Sequence, residues 1–120
     1  MNSEIEHKVD ELTRALRNIT VKQEQNQTAQ YHLERKEQSW EEINRSGCRL
    51  FERLLSCWHQ DRRMGIVFED NKQEFWQLQQ RSKYALADEK EQIMAEKRTL
   101  MNKEEEYYSE RRKLMMDGEL

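Results

Sequence analysis

Three histidines, two cysteines and several glutamate pairs are the side chains of this 120-residue chain that could bind a metal or catalyse a reaction. His7 and Glu11 are four residues apart and would share one face of a helix, but two ligands do not make a metal site. Glu41 and Glu42, like the run 104–106, lie among other charged residues and are typical of solvated helix surface. The sequence has no glycine-rich phosphate loop, nucleophile elbow or CxxC motif. It therefore predicts a protein that is not an enzyme and that holds no metal or other cofactor.

The two cysteines are the remaining reactive side chains. Cys48 and Cys57 are nine residues apart, and on one helix this spacing places them on opposite faces. An internal disulfide is therefore not expected. Free thiols fit a protein kept in a reducing cytoplasm.

Composition indicates long helices rather than a compact globule. The chain has no proline and only three glycines, and 38% of its residues are charged, as in coiled coils. The net charge of −3 comes from 21 basic and 24 acidic residues spread over both halves, without a basic face for nucleic acid. No apolar run reaches the length of a membrane span, and the acidic start lacks the apolar core of a signal peptide.

The element that would organise such a chain is a bend at its midpoint, near Gly65. Glycine favours the left-handed conformation that ends many helices, and Asp70 or Asn71 could cap the helix that follows. We therefore expect an all-α fold, a hairpin of two long antiparallel helices that bends near residues 60–70. A single domain over 1–120 would comprise a first arm over about 3–63, a bend over 64–69 and a second arm over 70–117.

The first arm begins with a heptad seam that then becomes polar. Apolar residues step by four and three over Ile5, Val9, Leu12, Leu16 and Ile19, which is the pattern of a coiled-coil seam. The next seam positions are polar: Gln23, Asn26 and Gln30. They could form a solvated stretch, a layer that sets the register, or a site where a partner supplies contacts. Three polar layers in a row favour the solvated stretch, because register alone needs fewer.

Aromatic side chains concentrate around the bend and predict the best-packed end of the hairpin. The expected core there consists of Phe51, Leu54, Trp58, Gly65, Phe68 and Phe75. A bend at Gly65 would place Phe51 near Leu78. If buried, Phe51 or Trp58 should each cost about 3–5 kcal/mol on truncation to alanine. Gly47 indicates either a bend in the helix or the close approach of another helix.

The second arm carries two apolar columns with a period of seven. One contains Leu86, Ile93, Leu100, Tyr107 and Leu114, and the other contains Ala87, Met94, Met101, Tyr108 and Met115. The columns are about 100° apart, so the face is wider than one helix covers. The methionines could adapt to a partner or simply fill gaps in the seam. The predicted partner-binding residues are Leu86, Ile93, Met94, Leu100, Met101, Tyr107, Tyr108 and Leu114, with Leu12 and Leu16.

The chain resembles the WXG-like helical hairpins of type VII secretion. Trp58 and Gly65 stand seven residues apart, as do Trp40 and Gly47, in place of a Trp-x-Gly motif. The segments 49–63, 84–91 and 105–112 are most similar to the LXG-associated α-helical (Lap) proteins of type VIIb secretion in Firmicutes. The resemblance covers most of the chain.

This resemblance implies a non-enzymatic adaptor that binds the helical N-terminal LXG domain of a toxin together with a second small helical protein. The complex would form in the cytoplasm and be targeted for export, with the adaptor co-exported or left behind. Tyr84 and Asp88 match the Tyr-x-x-x-Asp/Glu spacing of type VII export signals, or Tyr84 packs near the seam and Asp88 is solvated. The rival hypotheses are a self-assembling coiled-coil scaffold and an exported effector that acts alone; a homodimer also stays open.

Overall fold

The fold is a hairpin of two α-helices. The computed structural model describes residues 2–119, in which α1 spans Asn2–Trp58 and α2 spans Arg62–Glu119. Residues 59–61 form the turn, and no strand occurs in the described range. The predicted all-α hairpin is confirmed.

Packing divides the hairpin into two compact units, each built from both helices. Unit 1 comprises Met1–Gln30 and Glu91–Leu120, and unit 2 comprises Tyr31–Lys90. The sequence predicted one domain over the same chain. Unit 1 thus combines the two outer ends of the hairpin, whereas unit 2 contains the turn.

In unit 1 the heptad seam of α1 packs on α2. Leu16 and Ile19 from α1 and Ile93 and Leu100 from α2 are all below 10% exposed. An isolated helix cannot bury a side chain this far, so the opposite helix must cover these residues. Leu12, like the other seam residues near the N-terminus, is half-buried. This narrow apolar seam stabilises helices that would be marginal alone in water.

A polar layer interrupts this seam at Asn26, which is only 4% exposed. Its side-chain amide Nδ2 donates to the backbone carbonyl of Ile93 at 2.9 Å, and its Oδ1 accepts from Nε2 of Gln30 at 2.8 Å. The expected solvated stretch is therefore wrong at Asn26. The buried amide is tolerated because its donor and acceptor both have partners, and its bond to α2 favours one alignment of the two helices.

Unit 2 is held together by Leu33 and Phe68, both buried, and by an aromatic pair. The rings of Phe51 and Phe75 lie 5.5 Å apart between centroids at 51°, a favourable tilted geometry. Phe51, Leu54 and Phe75 are half-buried. A Cβ at Gly47 would overlap the tip of the Phe75 ring, so glycine is here because α2 approaches closely.

Two sequence expectations for this end of the hairpin are wrong. Phe51 contacts Phe75 and not Leu78, which is 54% exposed. Trp58 is 44% exposed, because α1 ends at this residue and no further turn of helix covers the indole. The large cost predicted for truncating Trp58 therefore no longer applies.

The turn lies earlier than predicted, and Gly65 is not part of it. Gly65 is in the first turn of α2, with its N–H 2.9 Å from the Asp61 carbonyl, and no described glycine has a positive φ. Asp61 is the N-cap instead of Asp70 or Asn71: its Oδ1 accepts from the N–H groups of Arg63 and Met64, both at 3.1 Å. The side chain satisfies two N–H groups that lack helical partners.

Replacing Asp61 by alanine should lower the free energy of unfolding by about 1–2 kcal/mol, because the cap is lost and Arg62 and Arg63 remain at the positive end of the helix dipole. Thermal melts followed by far-UV circular dichroism measure the change. Asp70→Ala is the matched control, because Asp70 is exposed within α2. Equal melting temperatures for the two variants would contradict the assignment of the cap.

Candidate partner-binding surface

The side chains that could bind a metal or take part in catalysis lie apart from one another on the helix surfaces. His7 Nε2 is 3.0 Å from Glu11 Oε1, with both side chains well exposed. Within the described range, no three His, Cys, Asp or Glu side chains are grouped so that they could hold a metal ion. Cys48 and Cys57 are free and exposed.

The two apolar columns of α2 have different environments. The first column faces α1: Ile93 and Leu100 are buried, and Leu86, Tyr107 and Leu114 are half-buried. The hairpin itself covers these five residues, with the seam residues Leu12 and Leu16, wholly or in part, and their role in binding a partner stays a prediction.

The second column remains uncovered. In unit 1 it forms the α2 stripe, defined here as Met94, Met101, Tyr108 and Met115, which are 38–51% exposed. The guanidinium of Arg111 lies over the Tyr108 ring, 5.0 Å from its centroid, and its Nη1 is 3.5 Å from Thr13 Oγ1. These two contacts of Arg111 hold the Tyr108 ring beside the seam. Because Met94, Met101 and Tyr108 are exposed, they are accessible to a partner, and their partner-binding role stays a prediction.

Unit 2 carries an apolar groove along α1. The Gly47 groove, with a volume of about 510 Å³, is lined by Ser39, Glu42, Ile43, Ser46, Gly47, Leu50 and Phe75. Ile43 and Leu50 are 47% and 54% exposed. The neighbouring side chains of Ser39 and Ser46 are small, so Ile43 and Leu50 are accessible to a partner.

A second groove of unit 2 is more polar. It has a volume of about 490 Å³, and Trp40, Leu86 and Ala87 line it together with Glu37, Glu41 and Lys90 among others. Close by in sequence, Lys36 Nζ and Glu89 Oε1 form an ion pair at 3.1 Å that joins α1 to α2. The mixture of charges makes this groove a weaker apolar site than the Gly47 groove.

Tyr84 and Asp88 are both on α2 in unit 2 and both exposed. Tyr84 is 71% exposed, so the alternative in which its ring packs near the seam is wrong. The other half of that alternative, a solvated Asp88, agrees with the structure, in which Asp88 is exposed. The pair is accessible as a surface feature of the helix.

Sequence reasoning missed Ile43 and Leu50 as exposed apolar residues of α1. Their signal is a seven-residue step that lies off the column of Trp40, Gly47 and Leu54. A separate apolar column on α1 could have been recognised in this way, as the two columns on α2 were.

Neither helix contains, in its described residues, an apolar stretch that could cross a lipid bilayer. Among known protein families, the one described as "Protein of unknown function (DUF3958)" matches residues 7–114. No curated protein and no solved structure matches the chain significantly.

Proposed function

We propose that this chain, which belongs to the DUF3958 family, is a non-enzymatic adaptor for a type VIIb toxin. It binds the helical N-terminal LXG domain of the toxin, together with a second small helical protein, in the cytoplasm. The complex is then delivered for export, and the adaptor leaves with the toxin or remains behind. The resemblance of the chain to Lap proteins supports this proposal.

The observation that carries the proposal is the exposed aliphatic pair Ile43 and Leu50 in the Gly47 groove. Contiguous exposed apolar surface marks sites of protein association, because water covers it at a free-energy cost. The hairpin has no further element in its described residues that could cover this groove. A partner from outside the chain is therefore the natural occupant.

The groove suits an amphipathic helix. Ile43 and Leu50 are two helical turns apart, so a partner helix along α1 could place apolar side chains at similar intervals between them. The small side chains of Ser39 and Ser46 permit close approach of that helix. The LXG domains that Lap proteins bind are helical and would supply such a surface.

The genomic neighbourhood gives the first test, since we expect an LXG toxin gene adjacent to the gene of this chain. The second test is co-expression with the LXG domain of that toxin and with the second helical protein. We expect a soluble complex of fixed stoichiometry on affinity purification and size exclusion. Ile43→Glu and Leu50→Glu should each weaken the complex at least about ten-fold, because each buries an unpaired charge. Gln38→Glu adds the same charge at an exposed position of α1 outside the groove and should have no effect.

A clean failure of the LXG domain to co-purify would rule out the adaptor function. Stable homo-oligomers of increasing size without any hetero-partner would favour the self-assembling scaffold instead. Full binding by both groove variants, with the complex intact, would keep the adaptor function but remove the Gly47 groove as its site.

A further inference from the structure

We infer that a second copy of this chain covers the α2 stripe in unit 1. The two α2 helices run antiparallel, and a two-fold axis passes beside Met101. The inference goes beyond the adaptor function and concerns a different surface from the Gly47 groove. It rests on the exposed apolar column and on the order of the charges along its edges.

One edge of the stripe has alternating charge. Glu91, Arg98, Glu105 and Arg112 are seven residues apart and therefore follow one edge of the helix. All four are exposed, and within the described residues none of them forms an ion pair. Their signs alternate, so the edge becomes complementary to itself when a second copy is reversed.

The two-fold axis at Met101 uses this complementarity fully. Glu91 meets Arg112 of the second copy, and Arg98 meets Glu105 of the second copy. The symmetry repeats both contacts, because each copy contributes both members of each pair. A parallel pairing in register would instead place this edge against the other edge of the second copy, with Arg98 beside Lys97 and Glu105 beside Glu104, which are like-charged pairs.

The other edge is consistent with the same axis, with one exception. Lys97 and the half-buried Glu104 approach each other across the two copies. Lys90 would face Arg111 of the second copy, which is a like-charged pair at the outer end. Arg111 is already held over the Tyr108 ring in its own chain, which directs its charge away from that contact.

The apolar side chains align along the same axis. Met101 meets Met101 of the second copy, and Met94 meets Tyr108 of the second copy, a sulfur–aromatic contact of a favourable kind. From Glu91 to Arg112 the contact is about 30 Å long, or six helical turns. Because the two-fold contact closes on itself, it yields a dimer and not a filament.

Sedimentation equilibrium of the full chain tests the inference. We expect a dimer whose dissociation constant rises with salt, since its edge pairs are exposed. Arg98→Glu should raise that constant about ten-fold, and adding Glu105→Arg to the same chain should restore it. Lys103→Glu changes the charge equally on the far side of α2 and should leave the dimer unchanged.

Cross-linking tests the register. In a Cys48→Ser, Cys57→Ser background, Met101→Cys should cross-link to itself with a short bismaleimide, because it lies beside the axis. Met94→Cys and Tyr108→Cys should cross-link efficiently only when the two variants are mixed. Lys103→Cys is the control and should remain uncross-linked.

A chain that stays monomeric at every concentration would overturn the inference, as would stronger self-linking at Met94→Cys than at Met101→Cys. If the cysteines introduced in the stripe are protected from maleimide only after addition of the LXG domain, that domain covers the stripe. This result would overturn the second copy as its occupant. Toxin binding through the Gly47 groove is measured separately, so either conclusion can fail alone.

Discussion

Replacing Gly47 by alanine is expected to lower the free energy of unfolding by about 2 kcal/mol, although alanine is the better helix former. The new methyl group would overlap the ring of Phe75. To make room, the ring would have to leave its packing against Phe51 and move into the Gly47 groove that it lines. Overpacking therefore exceeds the gain in helix propensity, and urea denaturation followed by circular dichroism measures the difference.

Gly65→Ala is the matched control for this prediction. Gly65 is also helical, but no side chain lies within 4 Å of a Cβ placed there. The substitution should stabilise the chain by about 1 kcal/mol through helix propensity alone. Phe75→Ala should cost less in the Gly47→Ala background than in the original chain. Equal effects of the two glycine substitutions would mean that the helices are not close at Gly47.

Replacing Asn26 by alanine is expected to lower the free energy of unfolding by about 1–3 kcal/mol. The substitution removes the donor to the Ile93 carbonyl and the acceptor of Gln30. It also leaves a small space in the seam, where a partly open cavity of about 190 Å³ already lies beside Asn26 and Leu100. Denaturant unfolding of purified protein gives the change.

Gln27→Ala is the control, because Gln27 is the exposed neighbour of Asn26, and it should change stability by less than about 0.5 kcal/mol. Asn26→Leu separates stability from alignment. Leucine should restore the apolar seam but no longer favour one register, as for a buried Asn in coiled coils. A leucine variant that keeps every interhelical contact of the original chain would show that Asn26 does not set the register.

The hairpin and most of its seam were predictable because they depend on periodicity. The four–three steps from Ile5 to Ile19 specify which face of α1 is buried, and Leu16 and Ile19 are among the most buried residues. Leu100 and Ile93 follow from the seven-residue period of α2 in the same way. Such patterns survive small errors in the position of the turn.

The turn itself was misplaced because two local preferences competed. Glycine at 65 favours a helix end, but a helix also tolerates it at a cost of about 1 kcal/mol. Asp61 offers a side-chain acceptor to two N–H groups, and this preference prevailed. Since the turn sets which residues face each other, the same error placed Phe51 against Leu78 instead of Phe75.

The candidate site was harder to predict because two adjacent columns of α2 look alike in sequence. Leu100 and Met101 are neighbours with similar hydrophobicity, yet one is 5% exposed and the other 51%. Their difference depends on the rotation of α2 against α1, which tertiary packing decides. The buried Asn26 was missed for a similar reason, because its partner is a backbone carbonyl that no sequence pattern reveals.

All three indole rings belong to unit 2: Trp40 is half-buried, and Trp58 and Trp76 are exposed. Intrinsic fluorescence emission of this chain therefore originates in one half of the hairpin, and the other half is optically silent apart from its tyrosines. An event at the α2 stripe leaves the emission spectrum almost unchanged, whereas occupation of the region around the turn shifts it. Tryptophan emission can thus distinguish a partner bound to unit 2 from one bound to unit 1.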